Sequence, residues 1–309
     1  MENNFKKQLF MIVAEENRIE NELLSKHTTF KIGGPADYFI NPTSQQQLIE
    51  VIKLCKKHKV PFYIIGNGSN LLVGDKGFPG AIIQIYHTLD KISIEKDQED
   101  GKFLVSAGAG IMLSKLAMEI AKEGLEGFEF ASGIPGTLGG AITMNAGAYG
   151  GEINNCIKSA TVLKQDGTVL VLPKEQLELG YRTSVIQKES YIVMSAQFIF
   201  SKGNKEEILE KITELNKKRR EKQPLEYPSA GSTFKRPEGY FAGKLIDDAG
   251  LRGYRVGDVM VSEKHCGFVV NVGNGTAAQV RQLISDVDSV IFDKNGVHLE
   301  PEVRFVGEF

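Results

Sequence analysis

The sequence predicts an α+β protein with two domains. Segments with strand periodicity and segments with helix periodicity alternate along its 309 residues, and a chain of this length forms about two domains at roughly 100–200 residues each. A densely charged helical run at 204–224 marks the predicted junction. The predicted division is a helical lead-in at 1–27, a larger region at 28–200 and a smaller C-terminal domain at 201–309.

Composition argues against several classes of function. The formal net charge of -2 provides no field that would attract nucleic acid or an anionic membrane. Cys55, Cys156 and Cys266 are odd in number and form no metal-binding pattern, which predicts a reducing, cytoplasmic location without disulfides or a metal site. The apolar run at residues 9–14 is too short for a signal peptide, and no window approaches the roughly 18 apolar residues of a membrane span.

The N-terminal elements predict a β-α-β unit. Residues 1–26 predict an amphipathic helix, and a turn at residues 33–35 opens into a strand. Residues 44–59 then predict a helix with Ser44 as its N-cap. Residues 60–70, "VPFYIIGNGSN", predict a strand that runs directly into a glycine-rich turn.

The elements up to the junction continue to alternate, with a charged loop between the first two strands. They are strands at 80–86 and 101–110, a helix at 111–130, a hairpin at 159–172 turning at Asp166-Gly167, and a strand at 191–200. Between the helix and the hairpin, residues 131–152 hold seven glycines in 22 residues. This density is too high for a regular element and is typical of backbone that turns sharply or lies against a ligand.

The C-terminal domain is predicted to be a β-α module. Its predicted elements, after the helix at 204–224, are a helix at 241–253 ended by Gly250, two strands within 258–273, a helix at 276–296 and a strand at 298–309. Residues 229–239, "SAGSTFKRPEG", are predicted to form a loop. No histidine lies within twenty residues of Ser232 on either side, so this serine has no local base of the kind a hydrolase uses.

Two glycine-rich turns are candidate phosphate sites. The first, "GNGSN" at 66–70, lacks the Gly-Lys-Ser/Thr of a Walker A motif and opens no helix with Rossmann spacing, and alone it is equally well explained as a tight turn. The second lies within residues 132–151. Two such turns suit a ligand with a long phosphate bridge, and a dinucleotide such as FAD fits better than a mononucleotide.

Seven motifs in one order resemble the UDP-N-acetylenolpyruvoylglucosamine reductase family from Thr28 to Gly307. They are "TTFKIGGPAD", "IIGNGSNLLV", "GIPGTLGGAITMNAGAYG", "ELGYRTS", "AGSTFKRPEG", "AGKLIDDAGLRG" and "LEPEVRFVG". The resemblance implies an FAD-binding region of the vanillyl-alcohol-oxidase type and a separate C-terminal substrate domain. It also implies that NADPH is the hydride donor and that an enolpyruvyl nucleotide sugar of peptidoglycan synthesis is reduced.

The resemblance implies that the two glycine loops hold FAD noncovalently. The implied cofactor-binding residues are Gly66, Asn67, Gly68, Ser69, Asn70, Gly133, Ile134, Pro135, Gly136, Thr137, Gly139, Gly140, Asn145 and Gly147.

The resemblance also implies three catalytic residues. Arg182 would hold the substrate carboxylate, Ser232 would give a proton to the enolate carbon, and Glu302 would be a second electrophilic group whose pKa a buried site would raise. Taken alone, Ser232 is more often a local hydrogen-bonding residue and Arg182 a surface residue. Glu300 and Glu302 share a face of an extended chain, so spacing does not choose between them, and only the family motif favours Glu302.

Substrate contacts are expected from Tyr181, Lys222, Arg236 and Arg304. Arg236 stands where family members commonly have Asn, which leaves its contact with the nucleotide open. The stretch between Arg182 and Ser232 lacks the inserted tyrosine loop of the longer family form, so the chain resembles the compact form. Lys235 and Lys244 are also expected to stabilise a Ser232 alkoxide.

Two rival functions remain open from the sequence. A flavin oxidase of the same fold acting on a small alcohol or sugar often attaches its flavin covalently, but His58 and Cys156, the nearest candidates for attachment, lie in neither loop. A nucleotide-sugar sensor without turnover would not need a proton donor. A monomer that binds small molecules but no nucleic acid or membrane is expected.

Overall fold

The computed structural model describes residues 2–86, 88–96 and 101–309. The chain forms two compact units. Unit 1 comprises Met1–Ile19, Phe39–Gly66 and Ala81–Arg219, and unit 2 comprises Glu20–Tyr38, Asn67–Gly80 and Arg220–Phe309. Both units are therefore discontinuous in sequence. The predicted domain boundaries at 27/28 and 200/201 do not coincide with the limits of these two units, and they remain a prediction.

The helices and strands are numbered in chain order. The helices are α1 Glu2–Ile12, α2 Gln45–His58, α3 Leu113–Lys122, α4 Leu138–Thr143, α5 Val185–Lys188, α6 Lys205–Lys222, α7 Ala242–Asp248 and α8 Ala277–Asn295. The strands up to the hairpin are β1 Arg18–Leu23, β2 Pro35–Ile40, β3 Phe62–Ile65, β4 Leu71–Val73, β5 Phe78–Gln84, β6 Ile92–Lys96, β7 Phe103–Gly108, β8 Leu125–Glu126, β9 Gly147–Ala148 and β10 Gly151–Glu152. The remaining strands are β11 Ile157–Leu163, β12 Val169–Pro173, β13 Ile192–Lys202, β14 Ser229–Ser232, β15 Arg255–Val256, β16 Val259–Val261, β17 Phe268–Asn271 and β18 Arg304–Val306.

Unit 1 is built on an antiparallel sheet of order β12-β11-β13-β7-β6. The predicted hairpin is confirmed, with Leu163 opposite Val169 and Asp166 accepting from the Thr168 N–H at 2.8 Å. Helix α3 packs its apolar face into the same core, where Leu116 and Ile120 are fully buried. This follows from its spacing of apolar residues, which places one stripe against the sheet.

The predicted β-α-β unit is also confirmed. Strand β2 is followed by α2 and β3, and β3 pairs in parallel with β5, with Ile64 opposite Ile83. Ser44 caps α2 by accepting from the Gln47 N–H at 3.1 Å. Strands β1, β2 and β5 each have residues in both units. The glycine-rich turn after β3 begins at Gly66, the last residue of the second segment of unit 1.

Unit 2 combines a four-stranded antiparallel sheet with the long helix α8. The sheet has the order β14-β17-β16-β15. Val280 and Val287 of α8 are fully buried in the core of this unit. The helix predicted over 276–296 is confirmed as α8: a capping box between Thr276 and Gln279 begins it, and Gly296 in the left-handed conformation ends it. Strands β18 and β4 form a separate parallel pair.

Two predictions in the first hundred residues are wrong. The helix predicted over 1–26 ends at Ile12, and β1 follows, because this segment pairs with β2 in a four-stranded sheet. Tertiary pairing overrides local helix propensity here. The predicted charged loop contains β6, an edge strand whose alternating isoleucines face the core. His87 and residues 97–100 of that loop lie outside the described residues.

Three later segments also differ from their predictions. Residues 131–152 contain the short helix α4, which forms despite its glycines because Leu138, Ala141 and Ile142 are buried. The helix predicted over 111–130 ends at Lys122, since Gly124 turns the chain with a positive φ of 64°. The loop predicted around Ser232 begins as strand β14.

Candidate active site

The two predicted glycine loops meet at Gly66 and Thr137 within unit 1. A Cβ on Gly66 would lie 2.0 Å from Thr137 Oγ1, so only glycine permits this approach. The Gln84 side chain donates to the Gly66 carbonyl at 3.0 Å, and Gln84 is itself buried. Residues far apart in sequence therefore form one cradle, as the prediction of a shared ligand requires.

The second glycine loop is fixed by backbone hydrogen bonds to the end of β7. The N–H groups of Leu138 and Gly139 donate to the carbonyls of Ile111 and Ala109, each at 2.8 Å, and Leu113 donates to Gly136 at 3.0 Å. The sequence predicts residues 106–110 only as part of a strand. Their "SAGAG" composition, with small residues beside a glycine loop, is the signal that could have identified this role.

This cradle fits FAD on its own geometry. Gly140 is exposed, and a Cβ there would have no heavy atom nearer than 3.8 Å, so its backbone is open to a ligand. Pro135 is also exposed, and Gly133, Ile134 and Gly136 are half-buried. The buried Ser132 hydroxyl has no hydrogen-bond partner among the described residues. An accessible backbone with a spare buried donor suits the polar groups of a dinucleotide.

Asn145 is buried between the second glycine loop and the turn that carries Arg182. It is 1% exposed, its Nδ2 donates to the Gly180 carbonyl at 3.1 Å, and its Oδ1 accepts from the Asn154 N–H at 3.0 Å. These bonds tie the second glycine loop to the turn that carries Arg182. Asn145 therefore supports the arginine turn, and a contact between Asn145 and the cofactor remains a prediction.

Arg182 sits in a strained turn next to Gly147. Its backbone φ is 56°, a left-handed conformation that few non-glycine residues adopt. Its Nη2 donates to the Gly147 carbonyl at 3.4 Å, and its guanidinium carbon lies 5.2 Å from the Tyr181 ring centre. Gln187 braces the turn by donating to the Arg182 carbonyl at 3.3 Å. Strain maintained by several contacts is typical of a functional position.

Ser232 lies at the end of β14 in unit 2, opposite Phe268. The residue is exposed, while the next residue, Thr233, is 1% exposed and anchors the strand. Thr233 donates its N–H to the Gly267 carbonyl at 2.8 Å, and its Oγ1 accepts from the Val269 N–H at 2.9 Å. A rigid strand end thus presents an accessible serine.

Glu302 is held beside Ser232 by its backbone. Its N–H donates to the Thr233 carbonyl at 2.8 Å, and its carbonyl accepts from Asn70 Nδ2 at 3.2 Å. The Arg304 N–H donates to the Asn70 carbonyl at 2.9 Å. Unit 2 therefore brings together the serine, the glutamate and the end of the first glycine loop, all predicted from the sequence.

The rest of the first glycine loop is closely packed in unit 2. Gly68 is buried with a φ of 62°, and a Cβ there would lie 2.2 Å from the His27 carbonyl oxygen. Its carbonyl accepts from the Thr29 N–H at 3.3 Å. Asn67 and Ser69 on either side are half-buried. The loop is therefore fixed by protein packing, and its contact with FAD remains a prediction.

The structure distinguishes Glu302 from Glu300. The Glu300 side chain is 72% exposed and its Oε2 lies 2.8 Å from Lys235 Nζ, which lowers the pKa of Glu300. Lys244 pairs with Asp248 at 2.8 Å. Both lysines thus have carboxylate partners, so the expectation that they stabilise a Ser232 alkoxide gains no support.

The predicted substrate-binding residues lie in both units. Tyr181 of unit 1 is 54% exposed. In unit 2, Lys222 and Arg304 are exposed, and Lys222 is the last residue of α6. The Arg236 guanidinium carbon lies 4.5 Å from the Phe241 ring centre. A surface cavity of about 500 Å³ elsewhere in unit 1 includes none of the predicted site residues in its lining.

Comparison with known proteins places this site in a family. A model described as "UDP-N-acetylenolpyruvoylglucosamine reductase, C-terminal domain" matches residues 223–306, and one described as "FAD binding domain" matches residues 36–173. The reductase of that name from Lachnoclostridium phytofermentans is 58% identical over 308 residues, covering 100% of this chain and 99% of the relative. The one from Agathobacter rectalis is 51% identical over 317 residues and both chains are covered completely.

A solved structure agrees with these relatives. The crystal structure of UDP-N-acetylenolpyruvylglucosamine reductase (MurB) from Thermus caldophilus superposes with a TM-score of 0.77 at 35% identity, covering 94% of this chain and 98% of that chain. Fold and site define a flavoprotein, with an FAD-binding domain followed by a smaller α+β C-terminal domain. The predicted fold class is confirmed. The chain belongs to the UDP-N-acetylenolpyruvoylglucosamine reductase family.

Proposed function

We propose that this protein reduces the enolpyruvyl group of UDP-N-acetylenolpyruvoylglucosamine to give UDP-N-acetylmuramate, in the synthesis of peptidoglycan precursors. Full-length relatives at 58% and 51% identity and the match to an FAD-binding domain support this function. NADPH is the hydride donor. FAD, when bound, supplies a two-electron carrier that accepts a hydride equivalent from NADPH and passes it to the substrate double bond.

The observation that carries the proposal is the backbone bond between Glu302 and Thr233. At 2.8 Å it holds the glutamate segment next to the strand end that presents Ser232. Neither residue needs to be assembled by binding, because both segments are fixed by further hydrogen bonds within unit 2. A proton donor and a second polar group held at adjacent positions suit the protonation of an enolate.

The three catalytic residues have separate roles. Addition of a hydride equivalent to the vinyl carbon leaves negative charge on the adjacent carbon and on the carboxylate. Arg182 binds that carboxylate through its planar guanidinium and offsets the charge. Ser232 transfers its hydroxyl proton to the carbon, which completes the addition of two hydrogens across the double bond. Glu302 stabilises the charge that develops before this proton arrives.

Four further residues bind the substrate. Lys222 and Arg304 supply exposed cations for the diphosphate. Tyr181 packs against the sugar or the nucleotide. Arg236, held against the Phe241 ring at 4.5 Å, takes the position that Asn has in many family members and contributes a cation there.

The flavin is bound noncovalently. Cys156 is buried in unit 1, and this burial raises the pKa of its thiol to about 12, so it is not prepared for attack on a flavin. His58, the other candidate, lies at the end of α2 and is partly buried. These environments disfavour the oxidase alternative, in which covalent attachment is common.

A monomer in the cytoplasm is the proposed state of the protein. Cys55, Cys156 and Cys266 are all free and buried, as expected in a reducing compartment. Among the described residues, no helix is long and apolar enough to cross a membrane.

An absorbance spectrum tests the function. We expect flavin bands that bleach on adding NADPH and return, without oxygen, only when the enolpyruvyl nucleotide sugar is added. A colourless protein would contradict the cofactor assignment. Flavin that is reoxidised by oxygen but is indifferent to the nucleotide sugar would support the oxidase alternative instead.

A further inference from the structure

Arg219 is a cation that neither sequence analysis nor the proposed function uses. It lies near the end of α6, on the face that begins with the buried Ile208 and Ile212 and continues through Asn216. These positions follow helical spacing, so Arg219 extends the inward face of α6. The charge run around it predicts a solvated helix end, and only this periodicity distinguishes Arg219 from its neighbours.

The side chain of Arg219 lies directly against the start of the second glycine loop. A Cβ on Gly133 would lie 2.9 Å from Arg219 Cδ and 2.8 Å from Asn216 Oδ1. Gly133 therefore lets the side chains of α6 approach the loop closely. All of these residues belong to unit 1.

The Arg219 guanidinium has no protein counter-charge. Burial lowers its pKa, and the opposing influence comes from the Tyr149 phenol rather than from a carboxylate. By contrast, Lys218, the preceding residue on α6, forms an ion pair with Glu214 at 2.5 Å. Within the described part of the chain, Arg219 has no ion pair or hydrogen bond. Arg219 is half-buried, and a partly desolvated cation without a partner is costly unless an anion joins it.

Ser132, immediately before Gly133, supplies a second and independent observation. It is 8% exposed, and its Oγ is buried without a hydrogen-bond partner. Its backbone N–H is already satisfied by the Glu129 carbonyl at 3.2 Å, so only the hydroxyl is left over. Buried hydroxyl groups in native proteins are nearly always paired, which indicates that a partner arrives from outside the chain.

We infer that Ser132 and Arg219 form an anion-binding pair at Gly133 that holds a negatively charged group of the bound FAD. FAD offers two such groups, its diphosphate and the pyrimidine edge of its reduced ring system. A guanidinium can donate two parallel hydrogen bonds to either group, and the serine hydroxyl can add a third. This inference rests on the FAD-binding domain and deepens the cofactor site of the proposed function.

The test uses the full chain and measures FAD binding without NADPH or substrate. Titration of FAD-depleted protein by flavin fluorescence gives the dissociation constant. We expect Arg219→Gln to bind FAD about 10–100-fold more weakly, and Ser132→Ala about tenfold more weakly. Arg219→Lys keeps the charge but cannot donate two parallel hydrogen bonds, so its FAD affinity should lie between those of wild type and Arg219→Gln. Arg220→Gln is the matched control, because Arg220 is exposed and the charge change is the same.

Thermal unfolding without FAD separates this role from a structural one. Neither side chain loses a protein partner, so Ser132→Ala and Arg219→Gln should unfold at or above the wild-type temperature when FAD is absent. When FAD is added, the unfolding temperature of both variants should rise by less than that of wild type. If Arg219→Gln folds poorly, Arg219→Lys allows the same comparison of unfolding temperatures with and without FAD, with less disturbance.

The flavin midpoint potential distinguishes the two anionic groups. A potential unchanged in Arg219→Gln indicates the diphosphate. A more negative potential indicates the reduced ring, because the lost cation no longer stabilises its negative charge.

Wild-type FAD affinity and potential in both Arg219→Gln and Ser132→Ala would overturn the inference. The inference would also be overturned if the variants bound FAD more weakly only because the FAD-free protein unfolds at a lower temperature. A protein that binds FAD but fails to reduce the nucleotide sugar would overturn the proposed function and leave this inference intact.

Discussion

The two units position their functional residues by different means. In unit 1 the glycine loops are shaped by close backbone approach, as at Gly66 and Thr137, and by backbone bonds to residues 109–111. In unit 2 the functional groups are the side chains of Ser232 and Glu302. Their two segments are joined by backbone hydrogen bonds, such as the one from the Glu302 N–H to the Thr233 carbonyl. Substitutions in unit 1 should therefore disturb backbone placement and cofactor retention, whereas substitutions in unit 2 should remove chemistry and leave the fold intact.

After the loss of Ser232, the largest effect is expected from Glu302→Gln. It should slow reoxidation of the reduced flavin by substrate about 10²–10³-fold, the range for removing one group that stabilises developing charge. Rapid mixing without oxygen measures this rate, and the unfolding temperature should not change. Glu300→Gln is the matched control, since Glu300 is exposed and paired with Lys235. Equal effects of the two substitutions would contradict the assignment of Glu302.

Gly66→Ala should disturb unit 1 in both the empty and the FAD-loaded protein. Its Cβ would lie 2.0 Å from Thr137 Oγ1, and such overpacking costs about 1–3 kcal/mol of unfolding free energy. Denaturant unfolding with and without FAD measures the cost. Gly140→Ala provides the comparison: there the nearest atom is at 3.8 Å, and alanine inside α4 should stabilise the empty protein by about 0.5–1 kcal/mol.

The Gly140→Ala result also sharpens the cofactor assignment. If FAD lies against this open backbone, the substitution weakens FAD binding although the empty protein is no less stable. Unchanged FAD affinity in Gly140→Ala would remove Gly140 from the cradle.

Asn145→Ala should lower the unfolding free energy by about 1–2 kcal/mol. It leaves the Gly180 carbonyl and the Asn154 N–H without their buried partner. We also expect a higher KM for the nucleotide sugar, because the Arg182 turn loses one of its attachments. Steady-state kinetics and denaturant unfolding measure the two effects. A loss of stability with unchanged KM would show that the bond supports the fold but not the arginine.

The smallest effect is a pH dependence from His265 of unit 2. Burial lowers the pKa of His265 below its ordinary value of 6.5, and its Nδ1 accepts from the Gly267 N–H at 3.1 Å. The unfolded chain therefore takes up a proton first as the pH falls below 6.5. His265 contributes its full stability above that pH and loses it as the pH falls through the folded pKa. Replacing His265 with Asn, which keeps an acceptor, should flatten this part of the stability profile, and an unchanged profile would contradict the assignment.

Local signals in the sequence were sufficient for several elements. The cap at Ser44 and the Asp166-Gly167 turn are confirmed because each depends on residues within a few positions of one another. Strand β1 and helix α4 could not be predicted in this way. Each depends on distant partners: β1 pairs with β2 in a sheet, and α4 forms because Leu138 is buried.

The candidate site divides along the same line. The family resemblance identified Ser232, Glu302 and Asn70, and the structure brings them together in unit 2. Arg219 and Ser132 were missed. Their significance comes from a guanidinium and a hydroxyl that have no partner in the described part of the chain, which no sequence motif records.

The most direct test of the central claim, that Ser232 is the proton donor, follows the two half-reactions separately in Ser232→Ala. Reduction of the flavin by NADPH should proceed at the wild-type rate, because no proton from Ser232 is needed there. Reoxidation by the enolpyruvyl nucleotide sugar without oxygen should be about 10²–10⁴-fold slower. Ser229→Ala in the same strand should leave both rates unchanged. Reoxidation of Ser232→Ala at the wild-type rate, or equal slowing of both half-reactions, would contradict the account.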